Sequence, residues 1–116
     1  RQVLDDTLRF YAEAQNLLGC MLYTKEAISL GTYSGRLNDN QAHFVQEKAV
    51  EFILKDRNNL EKQDEIYYPE ERTIQQAERG RWAEIGLAYS IVRIFLSNSW
   101  FYTVLIDYDV EGGVKK

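Results

Sequence analysis

Residues 82–96 read WAEIGLAYSIVRIFL, the most evenly apolar run in the chain, and the fold class rests on how that run is read. Projected on a helix at about 100° per residue, Ile85, Ala88, Tyr89, Val92, Phe95 and Leu96 fall on one arc and Leu87, Ile91 and Ile94 on the opposite side. Only Gly86, Ser90 and Arg93 remain as a narrow polar strip. A helix that is apolar nearly all round is covered on at least two sides, so the rest of the chain or a partner must supply that cover. The run is expected to be a central buried helix.

Working outward, Tyr67-Tyr68-Pro69-Glu70-Glu71 places a proline at a first helical position with two acids in the first turn, which starts a helix. The third helix therefore spans about 69–97. Upstream, Asn38 and Gln41 have capping-box spacing and open a second helix over about 40–67. Its core stripe is Ala42, Val45, Ala49, Phe52, Ile53 and Leu60, with Asp56 in the middle. Glu51 and Lys55 on the far face are in the favourable i, i+4 order, and Phe44 projects from that charged face.

Gly31 to Asn40, with two glycines and a cluster of Asn, Asp and Ser, has turn chemistry. Before it, Leu4, Leu8, Tyr11, Ala14, Leu18, Met21, Leu22 and Ile28 recur at helical spacing, giving a first helix over about 3–30 with Asp5 and Asp6 in its first turn. Cys20 falls on its polar side with Arg9, Glu13 and Asn16. After Ser97-Asn98-Ser99, residues 100–110 alternate like a strand and also recur like a helix. No second strand is evident to pair with one, so a short fourth helix over about 99–111 is expected, with Ser99 as N-cap and Gly112-Gly113 as terminator. If the segment is a strand, its partner is another chain. The expectation is an all-α antiparallel bundle of three long helices plus a short fourth, as a single domain over 1–116.

Folding the second and third helices as a hairpin about Tyr68 pairs Phe52 with Ile85, Ala49 with Ala88, Val45 with Val92 and Ala42 with Phe95. It also sets Asp56 opposite Arg81, between Glu78 and Glu84. Asp56, Glu78, Arg81 and Glu84 are therefore expected to form a polar core cluster, read as an ion-pair network that fixes helix register because buried charges are normally paired.

The chain has 116 residues, 45% of them hydrophobic and 13% aromatic, enough for a real core. Its 14 basic and 18 acidic residues are mixed along the chain and give a net charge of −4, which argues against a strong nucleic-acid footprint. One cysteine makes no internal disulfide, and without a signal-peptide pattern a reducing cytoplasm is expected. Because the chain begins with Arg1, it is expected to be trimmed or part of something longer. Residues 85–106 carry one charge, Arg93, and their longest uncharged run is the 13 residues 94–106, short of the roughly 20 a membrane helix needs. No span is expected.

No phosphate loop, Cys-x-x-Cys pair or nucleophile elbow is present, and no cofactor is expected. His43 has Glu47 and Glu51 one and two turns along its helix, a spacing that could bring an imidazole and a carboxylate to one metal, but no second histidine or E-x-x-H pair supports a site. No metal is expected. Arg36 and His43, separated by six residues, resemble the Arg-to-His spacing of HEPN ribonucleases, with Leu37 where that family places a polar residue; the resemblance implies a helical ribonuclease acting through those two residues.

Three functions are compatible with this reading. A non-catalytic helical-bundle subunit or adaptor is favoured, assembling with a protein partner or as a homo-oligomer through exposed aromatic surface: Tyr67, Tyr68, Trp100, Phe101, Tyr102 and Tyr108 exceed what a short fourth helix can bury, and Phe44 on the second helix's charged face joins them as an interface candidate. A helical small subunit of a ribonucleoprotein would use Arg72, Arg79, Arg93, Lys55 and Arg57 on phosphates. The HEPN-like ribonuclease is the third.

Overall fold

The computed structural model describes residues 2–61 and 72–110. It contains helix α1 (Gln2–Ala14), strands β1 (Gly19–Thr24) and β2 (Ser29–Tyr33), helix α2 (Asp39–Glu61), strand β3 (Thr73–Trp82), a 3-10 turn (Ala83–Ile85), and strands β4 (Leu87–Leu96) and β5 (Ser99–Tyr108). The strands form one sheet in the order β2-β1-β5-β4-β3, every neighbouring pair antiparallel. The expected all-α helical bundle is overturned: this is an α+β fold dominated by its sheet.

The deciding run is cut in two by Gly86, whose φ of 71° closes the 3-10 turn, a left-handed conformation glycine adopts without cost. Beyond Gly86 the run continues as β4, with Leu87 and Ile91 buried beneath α2 and the apolar Val92, Ile94 and Leu96 alternating onto the other face. A strand apolar on both faces and a helix apolar all round look alike by periodicity; the β-branched Ile91, Val92 and Ile94 are the residues that favour the strand. Ser97 and Asn98, with φ of 54° and 63°, form the two-residue loop of the β4–β5 hairpin, both central residues left-handed as in a type I′ turn. The expected helix cap Ser99 is instead the first residue of β5, and residues 100–108 find their strand partners within this chain, β4 on one side and β1 on the other.

The expected first helix stops at Ala14. Asn16 takes φ 58°, the left-handed conformation asparagine tolerates at a helix exit, and the Leu18 N–H already donates to the Ile106 carbonyl of β5. Its remaining half is a hairpin, turned where Thr24 Oγ1 accepts from the Glu26 and Ile28 N–H groups, both at 3.2 Å. The second helix forms where its capping box begins: Gln41 N–H donates to Asn38 Oδ1 (2.8 Å), and Asn38 N–H to Gln41 Oε1 (3.0 Å). Its expected continuation to residue 67, and the start of the third helix at Pro69, lie outside the described residues.

The α2 stripe packs on the sheet, not on a helix. Val45, Ala49 and Ile53 close over Met21 and Tyr23 of β1, Tyr102, Val104 and Ile106 of β5, and Leu87 and Ile91 of β4. On the opposite face α1 sets Leu8 and Ala12 over Cys20, with Leu17, Leu22, Tyr33 and Leu105 around them. Gly31 of β2 makes this closeness possible, since a Cβ there would stand 3.1 Å from Leu8 Cδ1 and 3.3 Å from Leu4 Cβ. Asp5 ties the layers by accepting from the Thr32 N–H at 2.9 Å. No helix among the described residues is long and apolar enough to cross a membrane.

Candidate interaction surface

Strand alternation sends Met21, Tyr102, Val104, Ile106, Leu87 and Ile91 toward α2, and therefore their neighbours toward the α1 side. Pairing then sets that side in rows: Arg81, Ala88, Asp107; Arg79, Ser90, Leu105, Cys20, Tyr33; Gln76, Val92, Thr103, Leu22, Gly31; and Ile74, Ile94, Phe101, Thr24. A bulge between Gln76 and Glu78 changes the register, so Gln76 and Arg79 face the α1 side while Glu78 faces α2.

Helix α1 roofs mainly the β1–β2 end of these rows. The outer end, on β3, β4 and part of β5, carries Ile74, Val92, Ile94 and Leu96 with no layer above them among the described residues; Ile74 is 68% exposed and Leu96 40%, while Val92 and Ile94 are half-buried. Where the roof stops, an apolar cleft of about 430 Å³ opens between Thr7, Leu8 and Tyr11 of α1 and Ile74, Val92, Ile94, Thr103 and Leu105 of the sheet, with Cys20 at its base. None of its lining residues is charged. Burial pushes the Cys20 thiol up to about 11, so at neutral pH it is a protonated, unreactive thiol; the expected placement on a polar helix face is corrected to a fully buried strand position. A second cleft beyond Leu105 is bordered by Arg79, Arg81, Asp107 and Asp109.

The four residues expected in a polar core cluster are not brought together. Asp56 does sit in a part-buried network, but its cation is Arg93: Asp56 Oδ2 accepts from the Tyr102 hydroxyl at 2.6 Å and lies 3.1 Å from Arg93 Nε. That Nε is buried and makes no hydrogen bond, so its contact with the carboxylate is an ion pair. Arg93 also donates through Nη1 to Gln75 Oε1 at 3.0 Å. The Tyr102 hydroxyl is held far above the ordinary tyrosine range, first by burial and then by the Asp56 carboxylate, with Arg93 and Arg57 opposing. Arg81, on the opposite face, pairs with the buried Asp109, its Nε 3.1 Å from Oδ1 and 3.3 Å from Oδ2. Glu78 accepts from the Tyr89 hydroxyl at 3.2 Å, and Glu84 is exposed in the 3-10 turn. The helical mirror that joined Asp56 to Arg81 fails because a strand spends about 3.3 Å per residue where a helix spends 1.5 Å.

The expected aromatic surface is largely spent inside the fold. Tyr102 is fully buried. Phe44 meets Trp82 edge-on at 5.7 Å, and Trp82 stacks on Tyr89 at 4.0 Å. Gly80 makes room for that stack, since a Cβ there would stand 2.8 Å from the Tyr89 hydroxyl. Trp100 packs against Phe95 at 5.2 Å, Phe101 is half-buried, and only Tyr108 is more than half exposed. Tyr67 and Tyr68 lie outside the described residues. The five-stranded sheet overturns the helical-bundle adaptor. The two alternatives share its all-helical premise. Arg36 donates to Asn16 Oδ1 at 3.1 Å beside the exit of α1, while His43 on α2 pairs with Glu47 at 3.1 Å on an exposed flank, so each has its own local role. Arg93 and Arg79 lie on opposite faces of the sheet and make no single phosphate-binding strip.

The surface that sequence reasoning missed is aliphatic. Its signal was in the run itself: Val92, Ile94 and Leu96 are apolar on the side that Leu87 and Ile91 do not use. No protein-family model matches the chain, and no curated protein matches it in sequence.

Proposed function

We propose that this chain is a binding protein whose working surface is the outer α1-side face of β3, β4 and β5, presented to a protein partner. One observation carries the reading: β4 is apolar on both faces, and α1 roofs only the other end of the sheet. Antiparallel sheets that face water alternate apolar with polar residues; a solvated β4 would not place Val92, Ile94 and Leu96 outward. Contiguous exposed apolar area of this kind marks interaction sites. The contact is aliphatic and sheet-borne, distinct from the aromatic helical surface ruled out above. The single, buried Cys20 suits a reducing compartment such as the cytoplasm.

The test compares two isoleucines of nearly equal exposure, Ile74 at 68% on the outer face and Ile28 at 62% in the β1–β2 turn. Carbene photolabelling in a concentrated native extract, followed by purification and peptide mapping, should label Ile28 well and Ile74 weakly. Equal labelling would overturn the reading. The uncharged cleft of about 430 Å³, within the roughly 300–1,000 Å³ range of small-molecule sites, supports a second reading, in which an apolar small molecule sits beside α1. That ligand would shield Tyr11 and Val92 and leave Leu96, outside the cleft, reactive.

A further inference from the structure

Resting on that reading of the outer face, we infer that its partner is a second copy of this chain, docked sheet to sheet about a two-fold axis parallel to β4. Such an axis lays β3 of each copy over β5 of the other and keeps the rows in step. Arg81 then stands above Asp107, Ile74 above Phe101, and Val92 and Ile94 above their own counterparts. The stem of Arg79 covers Leu105, and its guanidinium reaches toward the Asp107 row. The face is self-complementary in the way an isologous interface requires: basic on β3, acidic on β5, apolar between. Asp107 is exposed, and among the described residues no cation pairs with it. Arg79 has a neutral partner, Gln76 Oε1 at 3.3 Å.

Shape agrees with charge. Face-to-face sheets stand about 10 Å apart, close to the roughly 10 Å thickness of a helix. Because α1 stands on the same face but over β1 and β2, the rotation carries each α1 past the β3 edge of the other copy instead of into its sheet. Each helix then flanks that edge, and Thr7 and Tyr11, which now line an open cleft, meet the other copy's β3. Ten-residue strands at about 3.3 Å per residue, three abreast at about 4.8 Å, give a footprint on the order of 470 Å² in projection. Side-chain relief and the α1 flank bring this toward the ~800 Å² per partner of a standard interface.

Light scattering on the purified full chain across the micromolar range should give twice the 13.6 kDa chain mass, and Ile74 should stay protected from carbene labelling in that purified sample. Arg79→Glu and Asp107→Arg should each weaken dimerisation about tenfold, and the double variant should recover to within about threefold of the native protein. Circular dichroism confirms that each variant is folded, and rescue in the double variant separates a broken pair from a damaged fold. Single variants with no effect, or no rescue, would overturn this docking. A 13.6 kDa mass with Ile74 protected only in extract overturns the second copy while leaving the outer face as the binding surface. Ile74 labelled as strongly as Ile28 in both samples removes both.

Discussion

Beneath α2 the sheet is closed: Met21, Leu87, Ile91, Val104 and Ile106 are at most 1% exposed, and the half-buried Asp56 carboxylate of α2 has both a hydroxyl and a guanidinium. On the α1 side the same strands are closed at one end and open at the other, with a similar supply of aliphatic side chains. The composition of a strand therefore does not say which of its faces the chain itself will cover. Burial beneath α2 is intramolecular and should govern folding; the outer rows contribute little to the isolated chain and should govern association.

The largest effect that this contrast implies is on the closed face. Ile53 is fully buried between α2 and the sheet, so Ile53→Ala removes burial and leaves a cavity, costing about 4 kcal/mol in chemical denaturation. A cost near zero would mean that α2 is not the layer that closes the sheet. Next, Asp56→Ala should cost about 3 kcal/mol, because Arg93 keeps its charge in a site where its side chain is 17% exposed and loses its counter-ion. Asp56→Asn, which can still accept from Tyr102, should cost less.

Tyr102→Phe removes only the hydroxyl, and at neutral pH should cost about 1.5 kcal/mol, typical for a hydrogen bond to a charged group. Its pH dependence is more telling. The folded-state value of Tyr102 is raised above the ordinary 10.0, by burial first and then by Asp56. Below pH 10 the hydroxyl is protonated in both folded and unfolded chains and its bond stabilises in full; as pH rises above that, the unfolded chain loses the proton first and stability falls. Cys20, raised by burial from 9.0 to about 11, adds an earlier loss between those two values. Urea midpoints measured from pH 8 upward should decline in two stages, with Tyr102→Phe flattening the later one. An unchanged decline in the variant would place the alkaline sensitivity elsewhere.

How much of this was legible in the sequence differs by element. Helix α2 was, because Asn38 and Gln41 make a local, reciprocal cap and Val45, Ala49 and Ile53 a narrow stripe, both properties of neighbouring residues. The start of α1 was legible for the same reason, but its end was not: it depends on Asn16 in a left-handed conformation and on Leu18 donating to Ile106, 88 positions away. Strand β4 was misread because being apolar on both sides erases the period that separates helix from strand. The Ser97-Asn98 hairpin lacked the glycine that usually announces a type I′ turn. For the polar cluster, a carboxylate in a core stripe demands a cation, but only the placement of β4 under α2 shows Arg93 beside Asp56.

The smallest expected effect is the most discriminating. Ile94→Thr preserves branching and strand propensity while removing apolar area from the outer face. Because Ile94 is half-buried, in a dilute, monomeric sample the change should cost about 1 kcal/mol, roughly a quarter of the loss at Ile53. The proposed dimer, formed only by folded chains, would add stability by mass action, so the melting temperature of the native protein should climb with protein concentration. In Ile94→Thr that climb should shrink, and the gap between the two melting curves should narrow on dilution. If the variant is instead destabilised equally at every concentration, the outer rows are covered within the chain, and the contrast between the two faces disappears.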